Sequence, residues 1–561
     1  MWLFKSDNKG DNRSDEEKLF DAIKNKEVEK VKTVLENSNK NKKILNFNEI
    51  RDDNGDNIFL KAIENDNNEI VKLLIKYATQ NKIILELNEK DDYIGCYPLF
   101  LAVDYNNIEI VKILIEYANQ NQIILELNEK DTYFGGYPLL EAVKNNNIEI
   151  VKLLLEYAIQ HQIILELNER NIDDFYPLLL AIVYNNVDII NLLIEYTNHN
   201  QINLIFNEYD IIIKINDIFL DAISNNKNNI EIVKAIIEYA NQHQIILELN
   251  EKSENELYEN YPLLTAIDNK NIEIIKLLIE YANQHQIILE FNEKNIDEWY
   301  PLLSAINTNN IEIVKLLIEY INQHQIILNL NEKNKYGYYP LLLAIDYDNI
   351  EIVKLLIEYV NQHQIILELN EKNNNGDYPL SLAINNNNIE IIKLLIEYAN
   401  QHQIILELNG KNKYGDYPLL MAINNIDIVK LLIEYSNQQQ IILELNEKDR
   451  KYGLYPLLLS VIKNDIEIII KLLIEYSNQH QIMLELNEKD NSGMNPLLYA
   501  ISNISIEIIK LLTEYAIEHS ILLDYDKNDI EKNSEIIQLL EEYEKERELK
   551  KVNAYKLNNI T

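Results

Sequence analysis

The chain contains the stretch Tyr339-Pro-Leu-Leu-Leu-Ala-Ile-Asp-Tyr-Asp-Asn-Ile-Glu-Ile-Val-Lys-Leu-Leu-Ile-Glu-Tyr359, which decides its fold. Pro340 suits the first turn of a helix, where a missing N–H costs nothing, and good helix formers follow it for about two turns. After an Asn-containing turn, Glu351, Lys354 and Glu358 form one narrow polar stripe on an otherwise apolar second helix. A helix that is apolar on most sides must be sandwiched between neighbours, so the stretch predicts a helical pair that packs against further pairs.

The same helical pair recurs along nearly the whole chain. Three copies lack the initial proline, at 18–23, 58–63 and 218–223, and with the ten that have it they make thirteen units of about 39 residues. The prolines are Pro98, Pro138, Pro177, Pro262, Pro301, Pro340, Pro379, Pro418, Pro456 and Pro496. Such a period indicates a repeat array, in which stacked units share one continuous core. We predict an all-α solenoid of about thirteen helical pairs with hairpin-like connecting loops.

Both ends of the array differ from the repeats in composition. Residues 1–17 are polar and predict an N-terminal tail, 18–520 form the repeat array, and 521–561 predict a C-terminal capping helix and tail. Residues 209–216 and 253–260 lengthen two of the connections. The sequence leaves open whether these two insertions bind a partner or are idle loops.

The unit resembles the ankyrin repeat, which starts with Thr-Pro-Leu-His-X-Ala and has a Leu-rich second helix and a hairpin with glycine. Tyr378-Pro-Leu-Ser-Leu-Ala-Ile384, Ile391-Ile-Lys-Leu-Leu-Ile-Glu397 and Asn412-Lys-Tyr-Gly415 follow that order. Tyrosine replaces the capping threonine in nine of the ten proline-containing units, and the histidine is absent. Segments such as Ala399-Asn-Gln-His-Gln-Ile-Ile405 predict a second helix longer by one or two turns. A tetratricopeptide-type or HEAT-type solenoid is the alternative.

The composition restricts the class of partner. Acidic residues outnumber basic ones by 91 to 52, which gives a net charge of −39. This charge opposes binding to nucleic acid and to anionic lipid, and favours a basic protein partner. No stretch has the apolar length of a membrane-spanning helix, and the single cysteine, Cys96, excludes an internal disulfide. We therefore predict an intracellular protein, in the cytoplasm, without membrane insertion.

No residue pattern in the sequence indicates catalysis or a cofactor. The chain has no Gly-rich phosphate loop, no His-Glu-X-X-His and no Gly-X-Ser-X-Gly. Eight of the nine histidines lie four residues after the second-helix tyrosine, one per unit. Neighbouring helices are about 8–10 Å apart, too far for successive histidines to share a zinc ion. We predict no catalytic residue, no cofactor and no metal site, and interactions of these histidines with the last helix carbonyls.

Tyrosine supplies the candidate binding residues. Of 36 tyrosines, twelve lie on second helices and nine precede proline, and these 21 are interpreted as structural. Other aromatic residues vary between units at the loop tips and the ends of first helices. The resemblance implies that these positions line a concave face that grips partner proteins, where aromatic rings give large contact area. The predicted partner-binding residues are Tyr93, Tyr105, Phe134, Phe175, Tyr184, Trp299, Tyr336, Tyr338, Tyr347, Tyr414 and Tyr452.

The resulting functional hypothesis is a non-enzymatic protein–protein interaction scaffold. Two alternatives stay open. The chain could act as an adaptor that delivers its bound protein to a larger assembly such as a ubiquitin ligase, or as a mechanical spacer that has no specific partner.

Overall fold

A computed structural model describes residues 13–51, 57–91, 93–173, 175–200, 215–224, 230–242, 244–252, 259–463, 467–525 and 533–558. These residues form thirteen helical pairs and one further helix, without a β-sheet. The contacts divide the chain into two compact bodies, one of Met1–Glu254 with Glu273–Ile287 and one of Asn255–Ile272 with Ile288–Thr561. The predicted all-α array of about thirteen units is confirmed.

The first helices of the pairs are α1 (Asp15–Lys24), α3 (Ile58–Glu64), α5 (Pro98–Asp104), α7 (Pro138–Lys144), α9 (Pro177–Val183), α11 (Ile215–Ser224), α13 (Pro262–Asp268), α15 (Pro301–Asn307), α17 (Pro340–Asp346), α19 (Pro379–Asn385), α21 (Pro418–Ala422), α23 (Pro456–Lys463) and α25 (Pro496–Ser502). The second helices are α2 (Val28–Lys40), α4 (Asn68–Asn81), α6 (Ile108–Asn121), α8 (Ile148–His161), α10 (Val187–Asn200), α12 (Ile230–Gln242), α14 (Ile272–His285), α16 (Ile311–Gln323), α18 (Ile350–His363), α20 (Ile389–His402), α22 (Ile426–Gln439), α24 (Glu467–His480) and α26 (Ile506–Glu518). The last helix is α27 (Ser534–Asn558).

The pair α17–α18 shows how the sequence sets these boundaries. Pro340 is the first residue of α17, and the turn after α17 includes Asp348 with a φ of 54°. The Asn349 side chain then accepts a hydrogen bond from the backbone N–H of Ile352 and caps α18. Helix α18 ends where Gln364 adopts the left-handed conformation, with a φ of 55°.

The polar stripe of the second helix faces solvent, as its spacing predicts. Glu351, Lys354 and Glu358 are exposed, whereas Ile352 and Leu356 are buried. In α20 the helix continues through Ala399 to His402, and this additional turn is the lengthening that the sequence predicts.

An extended segment follows each second helix and alternates between exposed and buried residues. In residues 366–369, Ile366 and Glu368 are exposed and Leu367 and Leu369 are buried. The Asn370 side chain donates to the carbonyl of Ile405, and its oxygen accepts from the N–H of Glu407, in the next unit. Equivalent asparagines therefore join successive extended segments.

The two structural classes of tyrosine are buried and link neighbouring units. The Tyr117 hydroxyl on α6 donates to the carbonyl of Ile83 at 3.0 Å and accepts from the N–H of Leu85 at 3.2 Å. The hydroxyl of Tyr339, before proline, donates to the carbonyls of Glu368 and Glu371 in the next unit. The tyrosine that replaces threonine thus bonds the next unit, while its side chain makes no cap bond to its own helix.

The histidines behave differently from the prediction. His363 stacks on Tyr359, with ring centroids 4.3 Å apart, and its Nε2 pairs with the Asn322 side chain of the preceding unit at 2.9 Å. The same arrangement holds for His161, His285, His402, His480 and His519. These imidazoles therefore bond an asparagine across the stack, not the last helix carbonyls.

The ends of the array show two features. Helix α1 begins at Asp15, inside the predicted tail 1–17, because Ser14 and Glu17 form a capping box. Some of the predicted features lie outside the described residues: residues 1–12 of that tail, 209–214 and 253–258 of the two long connections, and His243. Helix α27 packs on the last pair: the Tyr543 hydroxyl accepts from Leu523 N–H and donates to Ile521 O, as second-helix tyrosines do.

Candidate functional site

The loop tips form a row in each of the two bodies. In the tip 334–338, the Asn334 side-chain oxygen accepts from the N–H groups of Tyr336 and Tyr338, both at 3.0 Å. The N–H of Asn374 then donates to the carbonyl of Tyr336 at 3.1 Å. This bond joins the tip to that of the next unit, so the tip side chains project from a backbone that is held on both sides.

The predicted binding residues lie at the tips or at the ends of first helices, and most of them are exposed. Phe175, Trp299 and Tyr338 are half-buried. The exposed ones are Tyr93, Tyr105, Phe134, Tyr184, Tyr336, Tyr347, Tyr414 and Tyr452. Of the eleven predicted residues, eight are therefore exposed and three are half-buried.

Several of these rings have polar neighbours. The Nζ of Lys413 lies 4.9 Å from the ring centre of Tyr414, and the Nζ of Lys451 lies 4.6 Å from that of Tyr452. The Tyr347 hydroxyl donates to the Asn307 side chain at 2.8 Å. Burial beside Asp346 raises the pKa of Tyr338 to about 12.

Three of the predicted residues are brought together around one cavity. Tyr93, Tyr105 and Phe134 line a cavity of about 290 Å³. Helices α3, α5 and α7 form its wall, and the tips before α5 and α7 form its rim. The cavity therefore spans three consecutive units of one compact body.

Five carboxylates, those of Glu64, Asp91, Asp104, Asp131 and Glu141, and the ammonium group of Lys144 line this cavity. The Asp91 side chain accepts from the N–H groups of its own tip, including Tyr93, and Asp131 does the same in the next tip. Glu141 is 3% exposed, and its Oε2 accepts from the Nζ of Lys144 at 2.9 Å. Asp104 is exposed at the mouth of the cavity and makes no side-chain hydrogen bond within the described residues.

Desolvation raises the pKa of Glu141, which is buried, and also that of Asp104, which is exposed but loses part of its hydration beside the cavity wall; Lys144 opposes the shift in each case. Cys96 also lines the cavity, and burial beside Asp91 and Asp131 raises the pKa of its thiol to about 12. At neutral pH the thiol is therefore protonated and a poor nucleophile.

Two features were not among the predicted site residues. Glu141 replaces the leucine or small residue that most units have before the alanine of the first helix, and that substitution was the available signal. An exposed row of isoleucines follows the second helices: Ile44, Ile84, Ile124, Ile164, Ile246, Ile288, Ile327, Ile366, Ile405 and Ile442. The repeated Ile-Leu-Glu-Leu alternates at the period of two of an extended segment, which is the signal that its isoleucine and glutamate share the exposed side. By composition alone, these isoleucines would be assigned to the apolar core.

Among the described residues, no group of three or more His, Cys, Asp or Glu side chains is arranged to hold a metal ion. In the same part of the chain, no helix combines the length and the apolar character that crossing a bilayer requires.

Comparison with known proteins identifies the repeat. A family model described as ankyrin repeats (3 copies) matches residues 19–124, 121–204, 284–366, 361–443 and 437–522. No curated protein matches the sequence significantly.

Two solved structures are similar to parts of the chain. The ankyrin repeat domain of Bcl-3 is 20% identical, with a TM-score of 0.33, over 44% of this chain and 99% of that domain. The ankyrin repeat protein EF0377 is 27% identical, with a TM-score of 0.30, over 38% of this chain and 96% of that protein. TM-scores this low add nothing to the assignment. The family model matches well over half of the sequence, and the chain therefore belongs to the ankyrin repeat family.

Proposed function

We propose that this protein is a non-enzymatic scaffold that binds a partner protein through its loop tips and its concave first-helix face. Ankyrin repeats are in general protein–protein interaction modules, which supports the class of function. The observation that carries the location is the set of exposed aromatic side chains at the tips. Tyr336, Tyr414 and Tyr452 are 53%, 52% and 53% exposed and stand on tips fixed by backbone hydrogen bonds. Rings held in this way bury area at low entropic cost.

We further propose that the partner is basic. Asp346 ends a first helix, and Asp377 and Asp416 follow the glycines of two tips, so the same face carries several carboxylates. Desolvation raises the pKa of Asp346 and of Asp416, because it disfavours their ionised forms. A positively charged group of the partner would stabilise these ionised carboxylates. A net charge of −39 disfavours nucleic acid and anionic lipid as partners. The single cysteine, Cys96, fits a reducing compartment, so we place the proposed scaffold in the cytoplasm, without membrane insertion.

The test compares two triple variants of the full chain. Tyr336, Tyr414 and Tyr452 are replaced by alanine in one, and Ile366, Ile405 and Ile442 in the other. These isoleucines are 58%, 57% and 57% exposed, so the two sets match in number and exposure but differ in surface. Proteins captured from native cell extract are identified with wild type, and the binding of each purified candidate is then measured against both variants.

We expect the tyrosine variant to lose a basic partner by at least about tenfold in affinity, or 1.4 kcal/mol, while the isoleucine variant keeps it. Loss with the isoleucine variant alone would move the binding surface to the isoleucine row. If folded wild type and the folded tyrosine variant capture the same proteins, or if neither captures any, the spacer alternative is favoured.

A further inference from the structure

The cavity between α3, α5 and α7 differs from the rest of the array in having both exposed rings and a buried carboxylate. Among the described residues, Glu141 is the only charged residue that is buried at the position before the alanine of a first helix. Its Oε2 pairs with Lys144, whereas its Oε1 accepts no hydrogen bond within the described residues. Oε1 lies in the wall of the cavity and is not sealed from solvent, so a hydrogen-bond donor that enters the cavity can reach it.

The neighbouring acidic groups cannot supply the missing partner. A Cβ on Gly136 would lie 2.6 Å from Oε1 of Glu141 and 2.8 Å from Oδ2 of Asp131, so both oxygens border this glycine. Asp131 is already occupied by the N–H groups of its tip, as is Asp91. Asp104 also raises the pKa of Glu141, because like charges repel. Lys144 is therefore the single cation beside the five carboxylates that line the cavity.

We propose that this cavity takes the side chain of an arginine of the partner protein. The guanidinium would donate to Oε1 of Glu141 and to the carboxylate of Asp104. Its flat faces would stack on the rings of Tyr105, Tyr93 or Phe134. Arginine fits better than lysine because its planar fork can serve two carboxylates at once and also stacks on aromatic rings. A volume of about 290 Å³ holds one long side chain but not a folded segment.

This inference rests on the proposed function only in assigning the arginine to a partner protein, so it can be tested without the partner. The probes are capped single residues: N-acetyl-arginine methylamide, its lysine counterpart and its neutral citrulline counterpart. Binding to the full chain is measured by ligand-observed saturation-transfer NMR, which suits weak ligands of a large protein. Each probe is titrated at physiological salt.

Two variants probe the site, and two matched variants control for the acidic surface. Glu141→Gln removes the charge and keeps the volume. Glu149→Gln makes the same change at an exposed position of α8, where Glu149 pairs with Lys112. Tyr105→Leu removes a ring at the end of a first helix, and Tyr347→Leu removes the ring at the same register elsewhere. Tyr105 and Tyr347 are 44% and 41% exposed, so neither change disturbs the core.

We expect capped arginine to bind wild type more tightly than capped lysine, with citrulline undetected. Glu141→Gln and Tyr105→Leu should each weaken arginine binding by at least about fivefold, and the two control variants by less than twofold. Equal binding of citrulline, tighter binding of lysine, or equal losses from Glu149→Gln would overturn the proposal. If capped arginine binds as expected but the tip tyrosine variant keeps every captured protein, the cavity assignment stands and the proposed tip surface fails. If the tip tyrosine variant loses a captured protein but capped arginine does not bind wild type, the proposed scaffold function stands and the arginine site is wrong.

Discussion

At the scale of single residues, the second-helix tyrosine is the recurring link between units. Tyr117 is 2% exposed, and its hydroxyl serves both Ile83 O and Leu85 N–H of the preceding unit. The ring fills the core, so Tyr117→Phe removes the hydroxyl alone. It leaves the buried N–H of Leu85 and the part-buried carbonyl of Ile83 without this partner.

We expect Tyr117→Phe to cost about 1–3 kcal/mol of local stability, since unmade buried hydrogen bonds carry their full desolvation penalty. Hydrogen exchange of the Leu85 amide, measured by mass spectrometry, should accelerate accordingly. Tyr133→Phe is the control, because Tyr133 is 69% exposed and should change stability by less than about 0.5 kcal/mol. Equal effects of the two substitutions would contradict the assigned role.

Glu141 gives a pH-dependent prediction. Burial raises its pKa in the folded chain, Lys144 on the same helix lowers it, and Asp104 from α5 and Asp131 from the tip raise it. The net shift is upward, so the ionised form destabilises the fold at neutral pH. This penalty is present above the folded pKa and disappears below the unfolded value, where the group is protonated in both states.

Glu141→Gln should therefore slow hydrogen exchange in residues 138–150 by a few-fold at pH 7 and have no effect near pH 4. The same variant is expected to bind capped arginine less well, so stability and binding should change in opposite directions. Faster exchange at pH 7 would mean that the ion pair with Lys144 outweighs the desolvation.

At the scale of elements, the helical pair could be predicted from the sequence because the residues that determine it are close together in the chain. Pro340, the polar stripe on α18 and the Asn349 cap act within a few residues of one another. The hydrogen bonds of Tyr339 and His363 could not be predicted, because the partner of Tyr339 lies 29 residues later in the chain and that of His363 lies 41 residues earlier. The candidate site shows the same limit: variation located the exposed rings, but only packing reveals that Tyr93, Tyr105 and Phe134 share a cavity with buried Glu141.

The tips provide an element-scale prediction with an internal control. Gly337 has a φ of 81°, and an added Cβ would lie 2.8 Å from Asn373 Cα and 2.9 Å from Asn374 N in the next tip. Gly493 has a φ of 85°, and nothing lies within 4 Å of its added Cβ. Both Gly→Ala changes incur the left-handed backbone strain of about 1–2 kcal/mol, but only the first also forces two tips apart.

We therefore expect Gly337→Ala to lower the free energy of local unfolding by more than Gly493→Ala does. For Gly337→Ala the measurement is hydrogen exchange of the amides of Asn374 and Lys335, which bond across neighbouring tips. For Gly493→Ala it is exchange of the Asn491 amide, which donates to the carbonyl of Tyr452. Equal costs for the two variants would show that the tips do not approach as closely as described.

At the scale of the whole molecule, the contacts of each unit run mainly to its neighbours, so stability should be local. Helix α27 provides the test because it packs on the last pair through Tyr543, which is 2% exposed, as well as through Ile536 and Leu540. Replacing a buried aromatic residue by alanine typically costs about 3–5 kcal/mol. In an array whose energy is a sum of unit and interface contributions, that loss should be confined to the end where it occurs.

Tyr543→Ala should therefore accelerate hydrogen exchange in residues 506–525 by at least about a hundredfold, since each 1.4 kcal/mol corresponds to tenfold. Exchange in residues 93–144, which include Tyr93, Tyr105 and Glu141 of the proposed arginine site, should stay within twofold of wild type, and so should the binding of capped arginine. Tyr543→Phe is the matched control: it keeps the ring and loses only the bonds to Leu523 and Ile521, so its smaller effect should fall in the same residues. An acceleration spread evenly over both regions would mean that the chain unfolds as one cooperative body, and the site would then depend on the integrity of the far end of the array.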